Sequence, residues 1–185
     1  MKKIVTLFIA VLLFTAVNAQ DTKPDLLTLE AGWTSSSFTE TELSVENTSG
    51  FYVGIRKDFK IVPLVRFNTG LLFTQQGTAY DIPSTDDLKM GYLHLPLGAK
   101  LKLGPIFLTG GVSPSFRLSA NEGDENVGDD YKVFDLPAYG GIGVKVLMVS
   151  LDFRYHYGLL NISDNSNLDA QSQFFTLGLG FNIKR

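Results

Sequence analysis

Leu93-His94-Leu95-Pro96-Leu97-Gly98-Ala99-Lys100-Leu101-Lys102-Leu103 alternates without a break. Extended, it sets Leu93, Leu95, Leu97, Ala99, Leu101 and Leu103 on one face. His94, Pro96, Gly98, Lys100 and Lys102 fall on the other. A period of two is the signature of a strand. Eleven residues at about 3.3 Å each, tilted about 45°, climb roughly 25 Å. That is the height of the apolar band of a membrane-spanning barrel, and about twice the usual length of a soluble strand.

Seven further segments repeat the pattern. Leu27, Leu29, Ala31 and Trp33 alternate with Thr28, Glu30, Gly32 and Thr34; Phe51, Val53, Ile55 and Phe59 alternate with Tyr52, Gly54, Arg56 and Asp58. In the third, Val65, Phe67, Leu71 and Phe73 oppose Arg66, Asn68, Gly70 and Thr74. The quoted stretch is the fourth. The fifth and sixth are built on Ile106, Leu108, Val112 and Phe116, then on Leu136, Ala138, Ile142, Val144 and Val146. The last two are built on Val149, Leu151, Phe153, Tyr155 and Tyr157, and on Phe175, Leu177, Leu179, Phe181 and Ile183. The expected fold is all-β: an eight-stranded antiparallel up-and-down transmembrane β-barrel, residues 20–185, in one domain.

Alternation alone does not say which face points out, because a lipocalin-type barrel alternates with its apolar side chains inside. Three features favour the inverted, membrane arrangement. Ten of the 18 glycines sit on the polar face, at positions 32, 54, 70, 98, 111, 141, 143, 158, 178 and 180. A narrow lumen needs small residues there, whereas a solvated wall would carry charge. Aromatics gather near strand ends on the apolar face: Trp33, Phe51, Phe73, Phe116, Tyr157 and Phe175 beside the long loops, Phe59 and Phe153 towards the other rim. Such girdles mark the two membrane interfaces. Finally, the connections alternate in length. Long polar stretches (35–50, 77–88, 119–132 and 160–173) follow the odd strands, and short turns lie at 60–63, 104–105 and 147–148. Long loops outside and short turns in the periplasm are the pattern of bacterial outer-membrane barrels.

The N-terminus agrees. Lys2 and Lys3 precede an apolar run from Ile4 to Phe14, and Val17-Asn18-Ala19 offers small residues for cleavage before Gln20. Residues 1–19 therefore read as a signal peptide, too short to span a bilayer as a helix. Its removal leaves 14 Lys plus Arg against 19 Asp plus Glu, a net charge of −5 with no basic run. That gives no electrostatic reason to expect a nucleic-acid partner. The lack of cysteine excludes a disulfide framework, a cysteine nucleophile and a lipidated N-terminal Cys.

Tyr92-Leu93-His94-Leu95-Pro96-Leu97-Gly98-Ala99-Lys100, with Gly140-Gly141-Ile142-Gly143-Val144, Asp152-Phe153-Arg154-Tyr155-His156-Tyr157-Gly158-Leu159 and the Ala19-Gln20 junction, resembles the PorT-like outer-membrane β-barrel proteins of Bacteroidetes. His94 stands where that family usually places an acidic residue. The resemblance implies a fold and a location, the outer membrane of a Gram-negative bacterium. One branch serves protein secretion, so envelope or secretion proteins join outer-membrane lipid and lipopolysaccharide as expected partners. No activity carries over residue by residue.

The lumen face gathers Glu30, Arg56, Asp58, Arg66, Lys100, Lys102, Arg117, Lys145, Asp152, Arg154 and His156. Buried charges need partners, so the expectation is an interior ion-pair network, with a charge-lined, porin-like conduit as the alternative. Ser150, Asp152 and His156 share one strand face, but steps of about 7 Å put them beyond the hydrogen-bond reach of a triad. A lipid-modifying enzyme would instead need a Ser/His pair meeting across adjacent strands. The loops hold 13 of the 19 acids, among them Glu40, Glu42, Glu46, Asp81, Asp86, Asp87, Glu122, Asp124, Glu125, Asp129, Asp130, Asp164 and Asp169. Residues 124–130 lack the alternating spacing and closing Glu of a calcium loop. No catalytic, cofactor-binding or metal-binding residues are assigned. The function expected is a non-enzymatic role in envelope structure, surface binding or adhesion, or as accessory to a secretion assembly.

Overall fold

In hydrocarbon, backbone N–H and C=O groups find no water, so a spanning sheet has to close on itself. The computed structural model describes residues 26–39, 45–80, 88–122, 125–126, 132–161 and 171–183, and among them the sheet closes. The strands are β1 (Leu26–Thr39), β2 (Val45–Lys60), β3 (Val65–Tyr80), β4 (Leu88–His94 and Leu97–Leu103) and β5 (Ile106–Val112 and Ser115–Glu122). They continue with β6 (Phe134–Asp135 and Pro137–Val146), β7 (Val149–Gly158) and β8 (Gln171–Ile183). Each pairs antiparallel with its neighbours in sequence. β1 pairs with β8 from Leu27↔Ile183 to Thr39↔Gln171, which closes the eight-stranded barrel.

The connections at 61–64, 104–105 and 147–148 are as short as expected. Gly104 has φ +70°, a conformation that costs glycine nothing; Leu147 adopts φ +54° with a side chain, and is 88% exposed. At the other end the expectation is corrected. β1 runs on to Thr39 and β2 starts at Val45, inside the stretch read as the first long loop. β3 likewise runs to Tyr80, β5 to Glu122, and β8 starts at Gln171. Beyond the girdle the inward positions are filled largely by small or polar residues such as Ser36, Gln76, Ala120 and Ser172, so neither face requires a large apolar residue and the sequence carries no sign of the extension. The signal segment 1–19 lies outside the described residues, as do Glu40, Glu42, Asp81, Asp86, Asp87, Asp124, Asp129, Asp130, Asp164 and Asp169.

Burial decides which way the faces point. Leu29, Trp33, Val53 and Leu177 are 45–49% exposed, while Arg56, Asn68 and Asp152 are at most 2% exposed. The apolar face is outside. A belt of this size in water would be a severe liability, whereas against lipid it costs nothing. The upper aromatic girdle includes two groups: Trp33 pairs with Phe51, whose ring lies 6.0 Å from Phe73, and Phe116 meets Phe134 edge-on at 5.5 Å. Phe153 departs from the expected lower rim. It stacks on Phe175 at 5.8 Å, and the Phe175 ring also lies 5.1 Å from Tyr155. Phe67, 6.3 Å from Phe59, and Phe181, opposite Leu29, belong to the lower rim.

The glycines of the lumen have a specific task. A methyl group on Gly178 or Gly32 would overlap the Tyr52 ring, one on Gly98 would overlap Tyr139, and one on Gly143 would overlap Phe107. The large rings lean along the inner wall over glycines on the neighbouring strands: Gly32 is the register partner of Tyr52 and Gly143 of Phe107, while Gly178 and Gly98 lie one strand further round. Three prolines mark another local feature. Pro96, Pro114 and Pro137 interrupt β4, β5 and β6 side by side, where Leu95 N–H donates to Pro114 O and Ser113 N–H to Pro137 O, each at 2.8 Å. Proline has no N–H to return either bond.

Candidate functional site in the lumen

Alternation on eight closed strands sends every second side chain into a space about one side chain wide. Its contents fall into four levels. At the centre Glu30 is a hub. Arg154 donates to it from Nη1 and Nη2 at 3.3 Å, Arg56 Nη2 lies 3.2 Å away, and Arg154 Nη2 also reaches Asp152 Oδ1 at 2.8 Å. Two carboxylates thus face two guanidiniums, all four residues at most 4% exposed. Arg56 Nε, Arg56 Nη1 and Arg154 Nε make no hydrogen bond to the protein.

Towards the short turns, Lys100 Nζ holds Asp58 Oδ2 at 2.7 Å and lies 4.8 Å above the Phe107 ring. Asn68 Nδ2 donates to the other Asp58 oxygen. A cavity of about 20 Å³ lies beside this pair, lined by Lys102, Lys145, Ser150 and Asn182 among others.

Towards the outer rim, His94 on β4 meets Ser115 on β5: Nδ1 lies 2.5 Å from Oγ. This is the cross-strand pair that an enzyme would need, but its protons are the wrong way round. Ser115 Oγ donates to Ser113 O at 2.6 Å, so it accepts from His94, and Nδ1 carries the hydrogen. Nε2 accepts from Thr74 Oγ1 at 2.7 Å, whose oxygen accepts from Gln76 Nε2 at 3.0 Å. A base must present an unprotonated nitrogen to the hydroxyl. Here both groups are spent on structure, His94 at 3% exposure and Ser115 at 0%. The same-strand set is not assembled either. Ser150 Oγ donates to Gly180 O and accepts from Asn182 Nδ2, Asp152 belongs to Arg154, and His156 stacks on Phe174 at 4.1 Å with neither ring nitrogen bonded.

Higher still, Ser36 on β1 both donates to Gly77 O (3.0 Å) and accepts from Gly77 N–H (2.8 Å) on β3, and Ser172 donates to Asp135 at 2.6 Å. The central cavity, lined by Tyr52, His94, Tyr139, His156 and Phe174 among others, measures about 10 Å³, at most one water. The charged residues read from the sequence do point inward as expected. The structure joins Glu30, Arg56, Asp152 and Arg154, joins Asp58 to Lys100, and leaves Arg66 and Lys145 without an ion pair among the described residues. Sequence reasoning missed the inward rings Phe107 and Phe174. Parity with Thr109 and with Ser172 and Thr176 was the available signal, outweighed by their apolar character. Among the described residues no group of His, Asp and Glu is arranged to hold a metal ion.

A closed antiparallel barrel, apolar outside and ion-paired within, defines an integral outer-membrane β-barrel protein, and the chain resides in the Gram-negative outer membrane. The chain belongs to the outer membrane protein beta-barrel domain family, whose model matches residues 7–164. Its fold is similar to that of Ail, the attachment invasion locus protein of Yersinia pestis, at a TM-score of 0.57 and 14% identity, covering 85% of this chain and 98% of Ail. It is also similar to Neisserial surface protein A, at 0.58 and 18% identity, covering 85% and 97%. Among curated protein sequences none matches the chain.

Proposed function

We propose that this is a non-enzymatic envelope protein that works through its outer rim, as a surface-binding or adhesion platform. The observation that carries this reading is the filled lumen beneath strands that continue past the upper girdle. With no conduit among the described residues, His94 and Ser115 held in hydrogen bonds and Ser150, Asp152 and His156 not brought together, the strand ends and their loops are what is left for recognition. Their acidity disfavours polyanionic ligands and favours cationic or neutral partners. Crosslinking in cells from residues 119–132 tests this: capture of a surface or host component supports it, and capture of periplasmic secretion proteins alone overturns it in favour of the accessory role that the PorT-like resemblance implies.

Two rival readings have their own tests. Stable ohmic conductance of the purified protein in planar bilayers would establish a narrow channel. A difference in lipid A mass spectra between cells carrying wild-type protein and Ser115→Ala would establish lipid-modifying chemistry; the expected spectra are identical. Residues 1–19 are proposed as the export signal, and N-terminal sequencing of the purified protein is expected to begin at Gln20.

A further inference from the structure

The lumen's charges are unevenly spread. At the centre two acids meet two bases. At the periplasmic mouth Asp58 pairs with Lys100, beside Arg66 and Lys145, which have no ion pair among the described residues; Lys102 also lines the cavity there. Asp58 is itself fully engaged, by Lys100 on one oxygen and Asn68 on the other. Arg66, opposite Lys100 in register, is nine-tenths buried, and its Nε makes no hydrogen bond. Lys145 comes in from β6, within electrostatic reach of Lys102, Lys100 and Arg66.

Cations gathered out of bulk water repel one another and lose hydration, a cost that an anion among them offsets. Between them lies the cavity of about 20 Å³, with the Asn182 amide on its wall and the exposed turn Gly104-Pro105 at its edge. That volume takes one water or one oxygen atom. We propose that the periplasmic mouth of the barrel is an oxyanion site: one oxygen of a phosphate or carboxylate enters the cavity and is held by Lys145 and its neighbouring cations, while the remainder of the ligand projects into the periplasm. Lysine suits this task, because its ammonium is a mobile point charge that binds phosphate and carboxylate alike. The ligand is either a free anion or a carboxylate presented on a larger periplasmic molecule such as a cell-wall peptide. The site is independent of any role for the outer rim.

The test uses the full mature barrel refolded in detergent micelles. Inorganic phosphate, acetate and soluble cell-wall peptide fragments are titrated against sodium chloride at matched ionic strength, reading the temperature at which the heat-modifiable gel band is lost. Saturable stabilisation by phosphate or acetate beyond chloride is expected, and tighter binding of the fragments would identify a presented carboxylate as the source. Lys145→Gln weakens binding at least about tenfold, the loss of one charge-assisted hydrogen bond, and Lys145→Arg restores it. A second reading needs no variant. In wild-type protein the anion protects Lys145 from an amine-reactive reagent and leaves Lys57, on the outer wall, unprotected. Equal stabilisation by chloride, undiminished binding by Lys145→Gln, or unchanged labelling of Lys145 overturns the site.

Discussion

The centre of the lumen and its periplasmic mouth are built from the same residue types and have opposite characters. At the centre, Glu30 and Asp152 balance Arg56 and Arg154 in a space that excludes water. At the mouth, among the described residues, Arg66 and Lys145 lie beside the Asp58–Lys100 pair and a small cavity, with no ion pair of their own. Charges that only brace a wall are expected to be matched. A surplus placed where solvent and solutes arrive from the periplasm has a different use. Position along the barrel axis, more than residue type, separates structural charge from charge available for binding.

Substitutions that break the balanced centre should have the largest effect. Glu30→Gln leaves the buried Arg56 guanidinium without its carboxylate and Arg154 with Asp152 alone, and is expected to cost about 3–5 kcal/mol, measured by urea unfolding in lipid vesicles with the single tryptophan, Trp33, as the fluorescence probe. Next, Gly178→Leu forces a side chain into the Tyr52 ring and should cost about 1–3 kcal/mol; adding Tyr52→Ala should recover much of that loss, and no recovery would refute ring-on-glycine packing. At the mouth, Asp58→Asn leaves one buried ammonium, Lys100, without its carboxylate and should cost about 2 kcal/mol, less than Glu30→Gln because a single cation loses its partner. An effect as large as that of Glu30→Gln would erase the distinction between the two regions. Smallest, and of opposite sign, Leu147→Gly should stabilise the barrel by up to about 1 kcal/mol by removing a Cβ from a left-handed backbone.

Much of this was legible in the sequence, for identifiable reasons. Alternation from Leu93 to Leu103 reported both the strand and its faces because hydrocarbon on one side and a packed lumen on the other leave each position one choice. The short turns expected near 60–63, 104–105 and 147–148 are at one end of the barrel, as their lengths implied. The outer ends of the strands were not legible, since Ser35, Ser36, Asn47 and Ser49 face water or polar neighbours on either side and no pattern is enforced. Nor were the ion pairs. Whether Glu30 meets Arg154 or Asp58 meets Lys100 depends on stagger around a closed sheet, which local spacing does not encode. The meeting of His94 and Ser115 shows the limit most clearly. Their approach is the feature an enzyme would display, and only the partners of each atom, Ser113 O and Thr74 Oγ1, assign them to structure.

The row formed by Pro96, Pro114 and Pro137 has a mechanical consequence. Three neighbouring strands each lack an N–H at one height, just beneath the level of Phe116 and Phe134, so bonds that would resist bending are halved along one line of the wall. Below that line the lumen holds the ion pairs; above it the continuing strand pairing of the outer rim is joined by side-chain bonds such as Ser36 to Gly77 and Ser172 to Asp135. Flexure of the wall is therefore eased along the proline row on the β4–β6 side only, because on the other side β1 stays paired with β8 without a break from Leu27 to Thr39.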